Sequence, residues 1–243
     1  MYVRTFTPFY VDIPFPLQPA LLSENQGPPV GSFNASGFPD GRWNADATVT
    51  VSQDSSQAAL YYGTSSEEIK HTGSGSGGVS NRGLGNAGMV LEAGKEYEGF
   101  LVARLPASAA DATAPVSITV TLEEYNSKTV LATQTLSITP GEFAHYNFSL
   151  TPSASTSCVD IAPGSDPAVS CGHGKPRSTI GHTCVKCGGQ FKISLTSGSV
   201  LVNYAFLQPG QWGRLPGLPV LLSAANTLKE MGIKAIRQGG TAN

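Results

Sequence analysis

Strict alternation of apolar and polar side chains in the middle of the chain constrains the fold more than any other feature. In residues 116–123, four apolar positions alternate with four polar ones without exception. This period of two is typical of a β-strand with one buried face. Polar turns at 126–128 and 140–141 lead into further strand patterns at 130–138 and 143–150. Strands that recur this closely predict a mainly β chain, folded as an antiparallel jelly-roll β-sandwich.

Near the C-terminus the hydrophobic pattern changes from that of a strand to that of a helix. Residues 200–206 are apolar on both faces, which predicts a buried strand, and the prolines and glycines of 209–219 break any regular element. Apolar residues then have helical spacing over 221–228, and we expect Gly232 to end this helix in a left-handed conformation. A short apolar strand follows at 233–236. A helix followed by a buried strand is the repeating half-unit of an α/β fold.

These patterns divide the chain into three parts. Residues 1–45 lack periodicity and are interpreted as an irregular leader, and 46–207 are the predicted sandwich, interrupted at 151–188 by a loop that holds all the cysteines. Residues 208–243 are a linker and an incomplete α/β unit.

Composition limits the partners of this chain. Charged residues make up 13% of it, against about 25% in an average soluble domain, and the formal net charge is −2. The 15 Lys and Arg form no basic run, so we expect neither nucleic acid nor an anionic membrane as a partner. No apolar stretch approaches the roughly 20 residues that span a bilayer. We expect a protein of the secretory pathway or extracellular space whose natural start is not Met1, since no signal peptide precedes the two glycosylation sequons at Asn34 and Asn147.

Four cysteines within the 151–188 loop admit two interpretations. They are Cys158, Cys171, Cys184 and Cys187. We predict that they form disulfides, in one of three connectivities, because a loop this polar has little core of its own. The alternative is a zinc site, since residues 184–187 form a C-x2-C knuckle and two histidines lie nearby. The first interpretation implies no metal and no cofactor.

Two segments resemble the plant-type α-L-arabinofuranosidases of glycoside hydrolase family 51. The first, VLVNYAFLQPGQWGRLPGLPVLLSAANTLKEMGIKAIRQGG, is similar to the passage from the last strand of an inserted β-sandwich into the catalytic (β/α)8 barrel. The second, VSNRGLGNAGMVLEAGKEYEGFLVAR, is similar to the family's glycine-rich turn before a Gly-Lys-x-Tyr strand. The resemblance implies that 208–243 begin a truncated barrel.

The resemblance also implies an activity that this stretch alone does not carry. The family consists of retaining glycosidases that release terminal non-reducing α-L-arabinofuranosyl residues from hemicellulose or pectin side chains, with two glutamates at later barrel strands, the acid/base following a Gly-Asn. Here Gly85-Asn86 is followed by Ala87, so the chain as given is expected to be inactive. The implied partner is an arabinose-containing polysaccharide or oligosaccharide. The alternative is a stand-alone carbohydrate-binding sandwich without catalysis.

Five residues are candidate sugar contacts. Arg237 stands where the family closes a barrel strand with an Arg-aromatic-Pro-Gly-Gly turn, although the aromatic residue and the proline are missing here. Asn81, Arg82 and Asn86 lie among glycines and predict either a polar pocket or a plain turn. Trp212 follows the last sandwich strand and either packs between domains or contacts the ligand.

Two further assignments concern side chains in strands. Glu67-Glu68-Ile69-Lys70-His71 loosely resembles a Glu-Glu-Ile-Asn-His stretch on the family's first barrel strand, where a glutamate contacts the sugar. We favour a solvated strand edge instead. Tyr146 and Tyr204 are assigned to the core.

Overall fold

The computed structural model describes residues 43–54, 66–83, 87–106, 114–161, 184–216 and 222–232. Their strands form two five-stranded antiparallel sheets and one two-stranded ribbon. The prediction of an antiparallel β-sandwich is therefore confirmed. No helix among these residues is long and apolar enough to cross a membrane.

Sheet I has the strand order β1-β4-β11-β6-β7. Its strands are β1 (Asn44–Ala45), β4 (Gly77–Asn81), β6 (Val116–Glu124), β7 (Val130–Ile138) and β11 (Gly189–Leu195). The segment with strict alternation forms an interior strand of the sheet, because β6 pairs with β7 on one side and with the central strand β11 on the other.

Sheet II has the strand order β2-β3-β12-β5-β8. Its strands are β2 (Val49–Asp54), β3 (Ser66–His71), β5 (Tyr97–Arg104), β8 (Ala144–Leu150) and β12 (Ser199–Pro209). The chain passes repeatedly from one sheet to the other, as in a jelly roll. The long strand β12 lies at the centre, paired with β3 near its start and with β5 along the rest.

The core lies between the two sheets and is one continuous apolar cluster. Sheet I contributes Ile118, Val120 and Leu122 from β6, and every one of them is fully buried. Across the interface, the rings of Phe148 and Phe191 stack with centroids 5.5 Å apart, which joins β8 of sheet II to β11 of sheet I. Burial of this apolar surface is the main force that holds the sheets together.

A two-stranded ribbon, the 3-10 helix Gln211–Gly213 and one α-helix complete the described chain. The ribbon pairs β9 (Cys158–Ile161) with β10 (Cys184–Cys187), and the helix α1 spans Leu222–Glu230. Gly232 follows the helix with φ 76°, which confirms the predicted left-handed cap. The strand predicted at 233–236 and nearly all of the 1–45 leader lie outside the described residues.

Candidate functional site

A β-bulge in β12 turns aromatic side chains outward from sheet II. The register of β12 against β5 shifts between Val202 and Tyr204, so one extra residue stands on the β12 side. Val200 and Val202 therefore face the core, whereas Tyr204 and Phe206 face away from it. Tyr204 is 7% exposed, so its assignment to a buried position is confirmed. It packs with Val102 in a second cluster on the outer side of sheet II and not between the sheets, because the bulge reverses the facing of every later residue in the strand. Tyr146, the other tyrosine, does pack against the core.

The outward-facing rings form a cluster centred on Phe100. Its ring lies near-parallel to those of Tyr204 and Phe206, with centroid distances of 5.5 and 5.3 Å, and the His145 imidazole is 5.0 Å away. We call this cluster the aromatic face: Phe100, Phe143, His145, Tyr204 and Phe206. Phe100, Phe143 and Phe206 are only partly buried, so their rings contribute apolar surface to the outside of the sandwich.

Polar groups surround the aromatic face. Asn147 is exposed and lies opposite Phe100 in the β5–β8 register. Arg214 Nη2 contacts Glu98 Oε2 at 2.6 Å, which ties the chain after β12 to the outward side of β5. The Arg104 guanidinium lies 5.4 Å from the centre of the Phe143 ring. Apolar ring faces with amide and charged groups beside them suit a sugar ring, whose C–H face is apolar and whose hydroxyls need hydrogen bonds.

The structure places Asn81 and Arg82 away from this face, on sheet I, where they are 0% and 1% exposed. Asn81 Oδ1 accepts a hydrogen bond from the Gly83 amide at 2.7 Å. The Arg82 guanidinium lies 3.7 Å from the centre of the Tyr125 ring, and its Nη2 donates to the Cys187 carbonyl. As placed, both side chains stabilise the fold and neither presents a polar group to solvent, so the plain-turn alternative describes this segment better.

Trp212 packs at one end of the sandwich. Its ring meets Tyr97 edge-on at 5.6 Å, and its Nε1 donates a hydrogen bond to the Glu96 carbonyl. These contacts favour packing over a role in ligand contact. Asn86 and Arg237, the other two predicted sugar contacts, lie outside the described residues.

Glu67 is buried on the inner side of β3. It shares that side of the strand with Ile69, it is 4% exposed, and its Oε2 has no hydrogen-bond partner among the described residues. Burial raises the pKa of the Glu67 carboxyl to about 7. The interpretation as a solvated strand edge was wrong, because β3 lies between β2 and β12 within sheet II.

A disulfide between Cys158 and Cys187 joins the first residue of β9 to the last residue of β10, at one end of the ribbon. Cys171 and the side chain of Cys184 lie outside the described residues. Within the part of the chain that the structure describes, no three His, Cys, Asp or Glu side chains form a group that would hold a metal ion. The zinc alternative required Cys187 as a free thiolate, but this residue forms a disulfide with Cys158.

No family model matches this chain, and no curated protein does. Among solved structures, the chain is similar to the arabinose-bound α-L-arabinofuranosidase MgGH51, with a TM-score of 0.54 and 21% identity over 87% of this chain. The match spans 30% of the length of that enzyme. This likeness shows a shared fold.

Carbohydrate-binding modules also occur among the similar structures. The xylan-binding CBM22-1 domain of Paenibacillus barcinonensis Xyn10C has a TM-score of 0.39 and 11% identity, covering 69% of this chain and 85% of that domain. The CBM22-1 and GH10 modules of Clostridium thermocellum xylanase 10B, complexed with xylohexaose, have a TM-score of 0.41 and 10% identity, covering 71% of this chain and 27% of that one.

Proposed function

We propose that this chain is the N-terminal portion of an extracellular α-L-arabinofuranosidase and that its sandwich binds arabinose-containing polysaccharide through the aromatic face. The observation that carries the binding half of the proposal is the partly exposed ring cluster around Phe100 on the outward side of sheet II. The enzymatic half is supported by the two sequence segments that resemble the family and by the fold shared with part of MgGH51. The alternative is a carbohydrate-binding sandwich that works without catalysis.

The two halves of the proposal are tested separately. In affinity electrophoresis, arabinoxylan or arabinan in the gel is expected to retard the chain, whereas a gel without polysaccharide is not. The same purified chain is expected to release no arabinose from an aryl arabinofuranoside, because its sequence contains no Gly-Asn-Glu motif for the acid/base glutamate. Sequencing of the transcript beyond Asn243 separates the two functions. A barrel with a Gly-Asn-Glu strand end supports the enzyme, and an immediate stop codon supports the stand-alone module.

Phe100→Ala is expected to weaken arabinoxylan binding about tenfold, equivalent to about 1.4 kcal/mol. Phe100 is the central ring of the aromatic face, and its removal opens the stack between Tyr204, Phe206 and His145. Isothermal titration calorimetry with arabinoxylan oligosaccharides measures the change, and thermal melting shows that the variant is folded.

The matched control is Tyr125→Ala, which removes a half-buried aromatic ring that contacts Arg82 of sheet I instead. This variant is expected to bind like the unmodified chain. Equal losses in the two variants, or full affinity in a folded Phe100→Ala protein, would contradict the assignment of binding to the aromatic face.

A further inference from the structure

We propose that Asn147 carries an N-linked glycan and that this glycan covers the aromatic face. Asn147-Phe148-Ser149 is an acceptor sequon within β8. The alternation of the strand separates its three side chains by face, because Asn147 and Ser149 are exposed while Phe148 is buried in the core. A sugar attached to Asn147 therefore extends into solvent without disturbing the packing of Phe148.

The position of Asn147 directs the glycan toward the aromatic rings. Among the described strands, β8 lies at the edge of sheet II, and none of them pairs with its outer side. On its inner flank, Asn147 is the register partner of Phe100, and Phe206 is the partner of Phe100 on the next strand. The first sugars of a glycan at Asn147 thus begin beside these two rings, whose flat apolar surfaces suit the C–H face of a sugar.

The disulfide supports the compartment in which this modification takes place. A bond between Cys158 and Cys187 persists in oxidising environments such as the endoplasmic reticulum lumen. There the donor is an oligosaccharide linked to a polyprenyl diphosphate. A bond forms between Asn147 Nδ2 and C1 of the first sugar, and the bond from that C1 to the diphosphate oxygen breaks. The lipid diphosphate leaves with the electron pair, and the proton lost by the amide nitrogen passes to solvent.

The first test measures occupancy, which does not depend on any sugar-binding activity. The chain is directed into the secretory pathway of a eukaryotic host in an Asn34→Gln background, which leaves Asn147 as the remaining sequon. Treatment with peptide N-glycosidase is expected to increase its gel mobility and to convert Asn147 to aspartate in the mass spectrum. Asn147→Gln and Ser149→Ala are expected to abolish the shift, and Ser149→Thr, which preserves the sequon, to retain it. Secreted, folded protein with unmodified Asn147 would overturn the proposal.

The second test measures coverage, and this half of the inference rests on the proposed function. Glycosylated protein is expected to bind arabinoxylan at least threefold more weakly than Ser149→Ala protein from the same host, which lacks the glycan and keeps Asn147. Equal affinity of the two would overturn the coverage. Failure of both proteins to bind while the glycan is present would instead contradict the proposed function and leave the modification site established.

Discussion

Replacing Cys158 and Cys187 together by alanine is expected to lower the free energy of unfolding by about 3.5 kcal/mol, because loss of the disulfide releases a loop of roughly 30 residues in the unfolded chain. One of the two cysteines, Cys187, is also buried and hydrogen-bonded through its backbone. Cys187 is 2% exposed, its amide donates to the Ala87 carbonyl at 2.6 Å, and its carbonyl accepts from Arg82. Urea unfolding followed by tryptophan fluorescence gives the difference.

Two treatments of the unmodified chain complete this experiment. A reductant is expected to lower the midpoint of unfolding toward that of the double variant, whereas a chelator leaves it unchanged. A chelator effect, or about one zinc per chain in protein purified without added metal, would support the zinc interpretation instead.

The second large effect concerns pH, since Glu67 is expected to make the protein less stable as the pH rises from 4.5 to about 7. The pKa of this carboxyl is raised from 4.5 to about 7 in the folded state because it is buried. Below pH 4.5 both states are protonated. Between the two values the unfolded chain loses its proton while the folded chain keeps it, so the free energy of unfolding falls by about 1.4 kcal/mol per pH unit. Above pH 7 this contribution is constant.

Glu67→Gln removes this charge and is expected to raise the free energy of unfolding at pH 8 by about 3 kcal/mol, with little change at pH 4. Glu68→Gln is the matched control, because the adjacent residue faces the opposite side of β3 and is only half-buried. Urea unfolding at several pH values measures both variants. If Glu67→Gln and the unmodified chain lose stability in parallel between pH 4.5 and 7, burial does not govern this carboxyl.

The fold was predictable from sequence where local pattern and burial agree. Strict alternation over 116–123 marked a strand that the structure places at Val116–Glu124, with its apolar residues in the core. The helical spacing before Gly232 likewise marked the helix α1. In the 116–123 segment the side chains that must be buried already lie on one side of a regular element.

The aromatic face was missed because its placement depends on pairing between distant strands. The sequence signal for this face was the apolar character of both sides of residues 200–206. In the structure one side fills the core, and the other contributes Tyr204 and Phe206 to the aromatic face. The β-bulge in β12, opposite β5, determines which of these residues face the core and which face outward. Similarly, the polarity of Asn81 and Arg82 suggested a pocket as one of two alternatives, although both are buried. Asn81 pairs with Phe191 in the β4–β11 register, and Arg82 donates to the Cys187 carbonyl.

The most direct test of the account is an NMR titration of the isotopically labelled chain, produced without glycan, with arabinoxylan oligosaccharides. We predict saturable shift changes at the outward residues of sheet II, led by Phe100, His145 and Phe206. Little change is expected at Tyr125, in the turn after β6, or at Lys192 on the outward side of sheet I. Changes confined to sheet I, or no change at millimolar oligosaccharide, would contradict the claim that the aromatic face binds carbohydrate.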